Sequence, residues 1–254
     1  MDSTQVQAAM AYARKESKME RKRIAIIGAG GCAREVAWLI KEINRVHPIY
    51  EFAGYLVSDL SRLGDRDSRD QVLGDFSWLE QPSASVAALA LGIGTPSVRL
   101  RIGQELAARY PHLEWPTLVH PTGLYDAETC QLGRGVLWFA NVLGTVNLQI
   151  GDFSMISNGC TIGHESKIGK GCLLNPSVNI SGGVLIGDGV LVGVGAQVLQ
   201  YLRIEAGATI GAGAVVTKSV PEGITVVGVP AYPLSKPQPS LSRFRPLTAS
   251  SLSP

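Results

Sequence analysis

His164 and Glu165 are neighbours in the sequence, and their side chains are suited to proton transfer. An imidazole titrates near neutral pH, so it can take a proton from an attacking amine or hydroxyl group. A neighbouring carboxylate can orient the ring and raise its basicity. A lone histidine can equally be an ordinary surface residue, so the pattern around it has to decide. The pair is a candidate general base with its orienting partner.

A glycine-rich loop near the N-terminus is a second candidate for chemistry. Gly28-x-Gly30-x-x-Ala33 follows a short apolar run and precedes a helical pattern, which meets the dinucleotide-binding fingerprint. Glycines here let the backbone approach a phosphate, and the helix N-terminus supplies positive partial charge. The loop is predicted to hold a nucleotide-sugar phosphate through Gly28, Gly30 and Gly31.

Two other interpretations of this loop stay open. It would also suit NAD, with Glu51 or Asp59 as the acid that binds the ribose, although the α/β segment is short for a complete dinucleotide fold. It could also be a tight turn without a ligand. A second small-residue loop, Gly92-x-Gly94-Thr95, follows a predicted strand, where ligands gather in open α/β sheets. Gly94 and Thr95 are therefore predicted to join the substrate site.

These loops need a scaffold that brings them to one edge of a sheet. Strands are predicted at Arg23–Ile27, Phe52–Val57, Val86–Leu91 and Glu114–Val119. Helices are predicted from the spacing of Val36, Leu39, Ile40 and Ile43, and over Ser97–Tyr110. Strands and helices that alternate in this way predict a small parallel-sheet α/β domain of the Rossmann-like type.

Apolar residues recur every six positions in the second half of the chain. The main series is aliphatic throughout: Ile150, Ile156, Ile162, Ile168, Leu174, Ile180, Ile186, Val192, Val198, Ile204, Ile210, Val216. A second series, four residues further on, is small or aliphatic: Ser154, Cys160, Ser166, Cys172, Val178, Val184, Val190, Ala196, Leu202, Ala208, Ala214, Val220. This period fits neither a helix face nor an alternating strand, but it fits a solenoid of short strands and tight corners.

The repeat predicts a parallel β-helix built from hexapeptides, three to a coil. Ile150–Pro221 gives four full coils, and Leu132–Gln149 a weaker first one. His164 is the only histidine in the solenoid and falls at a predicted corner. The predicted organisation is an N-terminal extension (1–22), a Rossmann-like nucleotide-sugar-binding domain (23–120), the β-helix domain (121–234) and a disordered Ser/Pro-rich tail (235–254).

Composition excludes several classes of protein. The 23 Lys and Arg against 21 Asp and Glu give a net charge of +2, which is too balanced to indicate a nucleic-acid partner. No secretory signal or long apolar run is present, so no membrane partner is expected. Four cysteines without metal-ligand spacing indicate reduced thiols, a cytoplasmic protein and no metal. Cys160 and Cys172 are interpreted as core residues, and His47, His112 and His120 as structural.

Three stretches of the solenoid resemble one family. They are Ser157-Asn-Gly-Cys-Thr-Ile-Gly-His164-Glu165, Asn175-Pro-Ser-Val-Asn-Ile-Ser-Gly-Gly183 and Val226-Val-Gly-Val-Pro-Ala231. Together with Gly28-Ala-Gly-Gly31 and His120-Pro121, they resemble the bacterial sugar O-acyltransferases of the sialic-acid O-acetyltransferase type. That family includes the nucleotide-aminosugar N-acetyltransferases of the bacillosamine and perosamine pathways. The resemblance covers about residues 23–234.

The resemblance implies a left-handed β-helix and a homotrimer with active sites between neighbouring subunits. It implies direct acetyl transfer from acetyl-CoA to a nucleotide-linked amino sugar, with His164 as general base and Glu165 as its partner. The positions that would line the CoA groove are Leu173, Gly182, Val194 and Ala212. The positions that would hold the nucleotide-sugar are Gly30, Gly31, Ser58 and Asp59.

Two positions depart from the family pattern, and two rival functions stay open. The family often has a second histidine where this chain has Leu173, and an asparagine where it has Ser157, with Asn158 next to it. The residues do not separate an amine acceptor from a hydroxyl, so a sialic-acid type O-acetyltransferase is an alternative. A non-catalytic trimeric scaffold is the other, and Leu173 favours it. A γ-type carbonic anhydrase would need more solenoid histidines than one.

Overall fold

A computed structural model describes residues 21–234. Nearly all of the predicted N-terminal extension (1–22) and the whole of the predicted tail (235–254) lie outside the described residues. The described chain is an α/β part followed by a left-handed parallel β-helix, which confirms the predicted fold class. Within residues 21–234, no helix has the length and apolar character that crossing a membrane requires.

The α/β part is a parallel sheet of four strands in the order β3-β2-β1-β4. The strands are β1 (Lys22–Ile27), β2 (Tyr50–Val57), β3 (Val72–Asp75) and β4 (Ala88–Leu91). The helices are α1 (Gly31–Val46) and α2 (Pro96–Arg109), and there are short 3-10 helices at Leu60–Arg62, Arg69–Gln71 and Phe76–Glu80. The predicted apolar stripe of α1 is buried, so this helix lies where its periodicity placed it.

One strand of this part was missed, and one predicted strand was wrong. β3 was not predicted, because it has four residues and Gly74 interrupts its apolar pattern. Glu114–Val119 is not a fourth strand of the α/β sheet: Glu114 forms only an isolated bridge to Ala88. Pro116 cannot donate a ladder hydrogen bond, so pairing stops there, and the chain enters the β-helix.

The β-helix has three faces, each a ladder of very short strands, and its coil repeats every 18 residues, as the pairing of Met155 with Leu173 shows. Face 1 consists of β5 (Leu118–Val119), β7 (Leu137–Trp138), β10 (Met155–Ile156), β13 (Leu173–Leu174), β16 (Leu191–Val192), β19 (Thr209–Ile210), β21 (Thr225–Val227) and β22 (Tyr232–Pro233). Face 2 consists of β8 (Leu143–Gly144), β11 (Thr161–Ile162), β14 (Asn179–Ile180), β17 (Gln197–Val198) and β20 (Val215–Val216). Face 3 consists of β6 (Gln131–Leu132), β9 (Gln149–Ile150), β12 (Lys167–Ile168), β15 (Leu185–Ile186) and β18 (Arg203–Ile204).

The solenoid begins earlier than the sequence predicted. β5 pairs with β7, and Leu124 bridges Leu143, so a turn that starts at Leu118 precedes the coil predicted to be first. Seven residues rather than six separate Leu124 from the next strand, at Gln131. This single extra residue breaks the six-residue register and hides the first turn in the sequence.

The corners between faces share one backbone conformation. Every sixth residue from Gly135 to Gly213 has a positive φ, between 56° and 69°. We call 157–159 and its equivalents, between faces 1 and 2, the first corner; 163–165 and its equivalents, between faces 2 and 3, the second; and 151–153 and its equivalents, between faces 3 and 1, the third. Left-handed residues favour glycine, so side chains at these positions stand out.

The α/β part packs against the early coils. Phe153, at the third corner, is fully buried in the α/β core, with its ring 5.2 Å from that of Trp115. The Sγ atom of Cys32, in α1, lies 3.8 Å from the Sδ atom of Met155 on face 1. The glycine-rich loop and its helix are therefore held against the solenoid by a shared apolar core.

Candidate functional site

His164 and Glu165 occupy the second corner, directly after β11. Glu165 has the left-handed conformation, with φ +56°, which brings its carboxylate back to the imidazole. Nδ1 of His164 is hydrogen-bonded to Oε2 of Glu165, and Oε1 accepts a hydrogen bond of 3.2 Å from Nδ2 of Asn147. The bonds from His164 and Asn147 lower the pKa of the Glu165 carboxyl, which therefore stays ionised at neutral pH.

The imidazole lies over a glycine of the next coil. A Cβ atom at Gly182 would stand 2.5 Å from Nε2 of His164, so only glycine leaves room for this ring position. The backbone N–H of Gly183 donates to the carbonyl of His164 at 2.8 Å. The carbonyl of Gly182 accepts from the N–H of Tyr201 at 3.0 Å. Among residues 21–234, no backbone acceptor lies within reach of the Gly182 N–H, which is free to meet a ligand.

A cavity of about 610 Å³ opens at the carboxyl ends of β1 and β2. Gly28, Ser58 and Asp59 line it, with Arg62 and Arg101 as nearby cations. Gly28 has φ +108°, and a Cβ there would stand 2.7 Å from the carbonyl oxygen of Gly92, so the two loops touch. Hydrogen bonds from the N–H and Oγ of the residue two further on, Ser61, lower the pKa of the Asp59 carboxyl.

A smaller cavity, of about 310 Å³, lies between the α/β part and face 1. Gly31 and Gly94 line it on the α/β side, and Leu173 lines it on the solenoid side, with Ser157 and Asn158 at the first corner. Gly30 and Thr95 are the N-cap residues of α1 and α2, and neither helix has an acidic residue in its first turn. Both helix N-termini therefore keep their positive partial charge.

The remaining two predicted groove residues lie elsewhere. Val194 and Ala212 stack at the first corner, where the carbonyl of Val194 accepts from Gly213 N–H at 2.8 Å. His164, Glu165 and Gly182 are at the second corner, and the whole of face 2 lies between the two sets. One chain therefore brings the predicted site residues together in separate groups, which do not meet.

Sequence reasoning missed a residue that ties the α/β part to the solenoid. Arg99, in α2, is fully buried, and its guanidinium donates to the carbonyls of Leu91 (3.0 Å), Ile93 (2.9 Å) and Phe153. Burial lowers the pKa of Arg99 to about 10, so the group still carries its charge at neutral pH. Arg99 fixes the Gly92–Thr95 loop against the solenoid. One arginine in a helix gives no signal of this role in the sequence.

Cys160, Cys172 and His120 are buried. Burial raises the pKa of Cys160 to about 11 and that of Cys172 to about 12, so neither thiol is a nucleophile near neutral pH. His120 is buried, which lowers its pKa, and its Nδ1 is 2.9 Å from Oγ1 of Thr122. Among residues 21–234, no three His, Cys, Asp or Glu side chains gather to hold a metal ion.

Parts of this sequence are similar to those of known acyltransferases. No family model matches the chain. Over 125 residues it is 40% identical to the UDP-3-O-acylglucosamine N-acyltransferase of Caulobacter sp. strain K31, which takes in 46% of this chain and 36% of that protein. Over 112 residues it is 38% identical to an acyl-[acyl-carrier-protein]–UDP-N-acetylglucosamine O-acyltransferase of Pseudomonas aeruginosa strain LESB58, covering 44% and 43% of the two chains. The chain thus spans less than half the length of these curated relatives.

Solved structures match over nearly the whole fold. The complex of PerB, from Caulobacter crescentus, with CoA and GDP-perosamine has 28% identity and a TM-score of 0.71, covering 85% of this chain and 98% of that one. WeeI from Acinetobacter baumannii AYE has 26% identity and a TM-score of 0.70, covering 84% and 100%. The acetyltransferase domain of PglB from Neisseria gonorrhoeae FA1090, with acetyl coenzyme A, has 25% identity and a TM-score of 0.59, covering 85% and 100%.

By fold and sequence, this chain is similar to the hexapeptide-repeat acyltransferases. Within that group it shares its two-part architecture with acetyltransferases such as PerB, so the resemblance expected from the sequence is confirmed.

Proposed function

We propose that this protein transfers the acetyl group of acetyl-CoA to a nucleotide-linked amino sugar, with His164 as the general base. The observation that carries the proposal is the His164–Glu165 pair placed over Gly182. With Nδ1 hydrogen-bonded to an ionised carboxylate, the lone pair of His164 lies on Nε2, where it can accept a proton. The matched complexes of PerB with CoA and GDP-perosamine, and of the PglB domain with acetyl coenzyme A, supply the substrate class.

The proposed reaction has two steps. The sugar amine attacks the thioester carbonyl as Nε2 of His164 takes a proton from its nitrogen, and the free N–H of Gly182 stabilises the oxyanion. The tetrahedral adduct then expels the CoA sulfur, which takes the proton from the imidazolium. The products are an amide and free CoA, and the imidazole returns to its starting state.

The two cavities suit the two parts of a nucleotide-sugar. We infer that the larger cavity receives the nucleoside diphosphate, since it lies at the glycine-rich loop that leads into α1 and places Arg62 and Arg101 in its lining, alongside the carboxylates of Asp59, Asp67 and Glu105. The smaller cavity, between Gly31, Gly94 and Leu173, then receives the sugar. Four free cysteines favour a reducing compartment, and we place the reaction in the cytoplasm.

A complete site in this proposal needs a second copy of the chain. The smaller cavity and the His164 corner lie on opposite sides of face 2. The outward side chains of face 2 are uncharged: Leu143, Thr161, Asn179, Gln197 and Val215. Those of face 3 include two charges: Gln131, Gln149, Lys167, Leu185 and Arg203. We propose that face 2 packs in a homotrimer and brings His164 of one subunit to the sugar cavity of its neighbour.

A thiol-release assay tests the activity. The purified protein is incubated with acetyl-CoA and a panel of UDP-, GDP- and CMP-linked sugars that includes 4-amino sugars and their 4-hydroxyl counterparts. We expect CoA release with an amino sugar and none with its hydroxyl counterpart. Release only with the hydroxyl sugars would show an O-acetyltransferase. Absence of both turnover and saturable acetyl-CoA binding would show a scaffold.

His164→Ala should lower the turnover number roughly 10²–10⁴-fold, the range that general-base catalysis contributes. The oligomeric mass should stay the same, because the side chain is half exposed and not part of the core. The control is His112→Ala in the α/β part. Full activity in the His164 variant would overturn the assignment.

Leu143→Arg tests the assembly. A charge on face 2 should prevent face 2 from packing, so the variant should run as a monomer by light scattering and lose at least about a hundredfold in activity. Gln149→Arg, six residues further on and at the same strand position of face 3, is the matched control and should stay assembled and active. If Leu143→Arg and Gln149→Arg have the same oligomeric mass, the proposed interface is contradicted.

A further inference from the structure

Six residues other than glycine adopt the left-handed corner conformation within residues 21–234. They are Asn141, Asn147, Phe153, Glu165, Ser177 and Tyr201. This conformation costs an L-residue roughly 1–2 kcal/mol and is unusual for a bulky side chain. Each such residue therefore needs a stabilising contact or a functional reason for this conformation.

The first five have a visible reason. Asparagine tolerates the left-handed region well, and Ser177 is small. Phe153 is fully buried between the two parts of the molecule. Glu165 uses the conformation to reach the imidazole.

Tyr201 has no such reason within the described chain. It is 73% exposed, its ring contacts only the backbone at Gly183 on one side, and its hydroxyl has no hydrogen-bond partner among residues 21–234. An exposed aromatic residue in a strained conformation is more often part of a binding site than of the scaffold.

The position of Tyr201 is specific. Its ring lies so close over Gly183 that a Cβ there would collide with Cδ1 and Cε1, while the imidazole of His164 lies over Gly182. The two rings therefore cover adjacent glycines of the same coil, one ring from the coil before and one from the coil after. The glycine pair is the floor between them, and the free Gly182 N–H lies in that floor.

Hydrogen bonds fix this floor from both sides. The N–H of Gly183 donates to the carbonyl of His164, and the N–H of Tyr201 donates to the carbonyl of Gly182. The backbone that positions the oxyanion donor is thus tied to the residue that carries each ring.

We propose that Tyr201 is an acetyl-CoA contact: its ring forms the wall opposite His164 and packs against the thioester end of the CoA arm. This inference rests on the proposed function, because it takes acetyl-CoA as the ligand of this corner. The apolar ring face suits the alkyl and thioester part of the arm, and its low side-chain entropy makes ordering inexpensive.

Titration calorimetry with acetyl-CoA alone tests the inference, so no acceptor sugar is needed. Tyr201→Gly should raise the Kd for acetyl-CoA roughly tenfold, the effect of losing one buried aromatic contact. Its thermal midpoint should not fall, because glycine relieves the left-handed strain. Tyr201→Phe keeps the ring and should bind like the parent protein. Tyr232→Ala, at an exposed tyrosine on β22, is the control and should bind unchanged.

The outcomes separate the two proposals. Binding by the parent protein with an unchanged Kd in Tyr201→Gly would overturn the role of Tyr201 and leave the proposed function standing. A lower oligomeric mass of Tyr201→Gly would also overturn it, because the ring would then be an interface residue. An absence of acetyl-CoA binding by the parent protein would overturn both.

Discussion

Left-handed backbone positions are distributed differently in the two parts of the molecule. In the β-helix they recur every six residues, and glycine fills most of them. In the α/β part they fall at Gly28, Gly54 and Gly74, which follow no period. A repeat supplies an expectation for each position, so a residue that departs from it, such as Glu165 or Tyr201, can be recognised. The α/β part has no repeat to compare with, so residues that are just as important there cannot be recognised from the sequence.

Arg99→Met tests this contrast with the largest expected effect on stability. Three buried carbonyls would lose their donor, at about 1–3 kcal/mol each, offset in part by removal of a buried charge, so we expect a net loss of about 3 kcal/mol. Urea unfolding at fixed protein concentration measures it. Arg101→Met, two residues on and exposed beside Glu105, should change stability by less than about 0.5 kcal/mol. Equal losses of unfolding free energy in the two variants would show that the buried hydrogen bonds of Arg99 contribute no more than an exposed ion pair.

Gly182→Ala sharpens the contrast within the solenoid. The added methyl group would displace the imidazole of His164, and we expect turnover to fall roughly 10–100-fold, since small misplacements of a catalytic group carry such costs. Acetyl transfer under saturating substrates measures it. Gln200→Ala, one coil later at the same corner position, should retain activity. A Gly182 variant as active as the Gln200 variant would mean that the ring position does not matter.

Ser177→Gly has the smallest expected effect and the opposite sign. Ser177 sits at a left-handed corner with φ +61°, so glycine should raise stability by about 0.5–1 kcal/mol, net of the greater freedom of glycine in the unfolded chain. Activity should stay within twofold of the parent. The midpoint of thermal unfolding measures the expected rise in stability. A lower midpoint would show that Ser177 is held there by interactions that outweigh the strain.

The repeat carried most of what the sequence could predict. Both inward series, with Ile162 and Cys160 among them, are buried in the solenoid except for the half-buried Leu202, and His164 lies at the predicted corner. A further series with the same period was not used in the prediction: the left-handed glycines at 159, 171, 183, 189, 195, 207 and 213. The extra residue before Gln131 concealed the first turn, because a period can be followed only while its register holds.

The α/β part was less predictable for physical reasons. The short strand β3 lacks an apolar pattern, and Pro116 ends a pairing that the residues around it favour. The role of Arg99 depends on Phe153, which lies 54 residues away, so only the folded chain brings the two together. Neither cavity could be delimited from the sequence, because each is lined by residues of several elements.

The last strand of face 1 gives the solenoid an end. β22 runs antiparallel to β21, and the pairing of Val226 with Pro233 places a residue without an N–H on the outermost ladder. A stack of identical parallel rungs is otherwise a template that another chain can extend, as in a fibril. Because β22 runs antiparallel and carries a residue without an N–H, it hinders the addition of a further parallel strand at this edge. The number of coils is then set by the sequence and not by the addition of other chains.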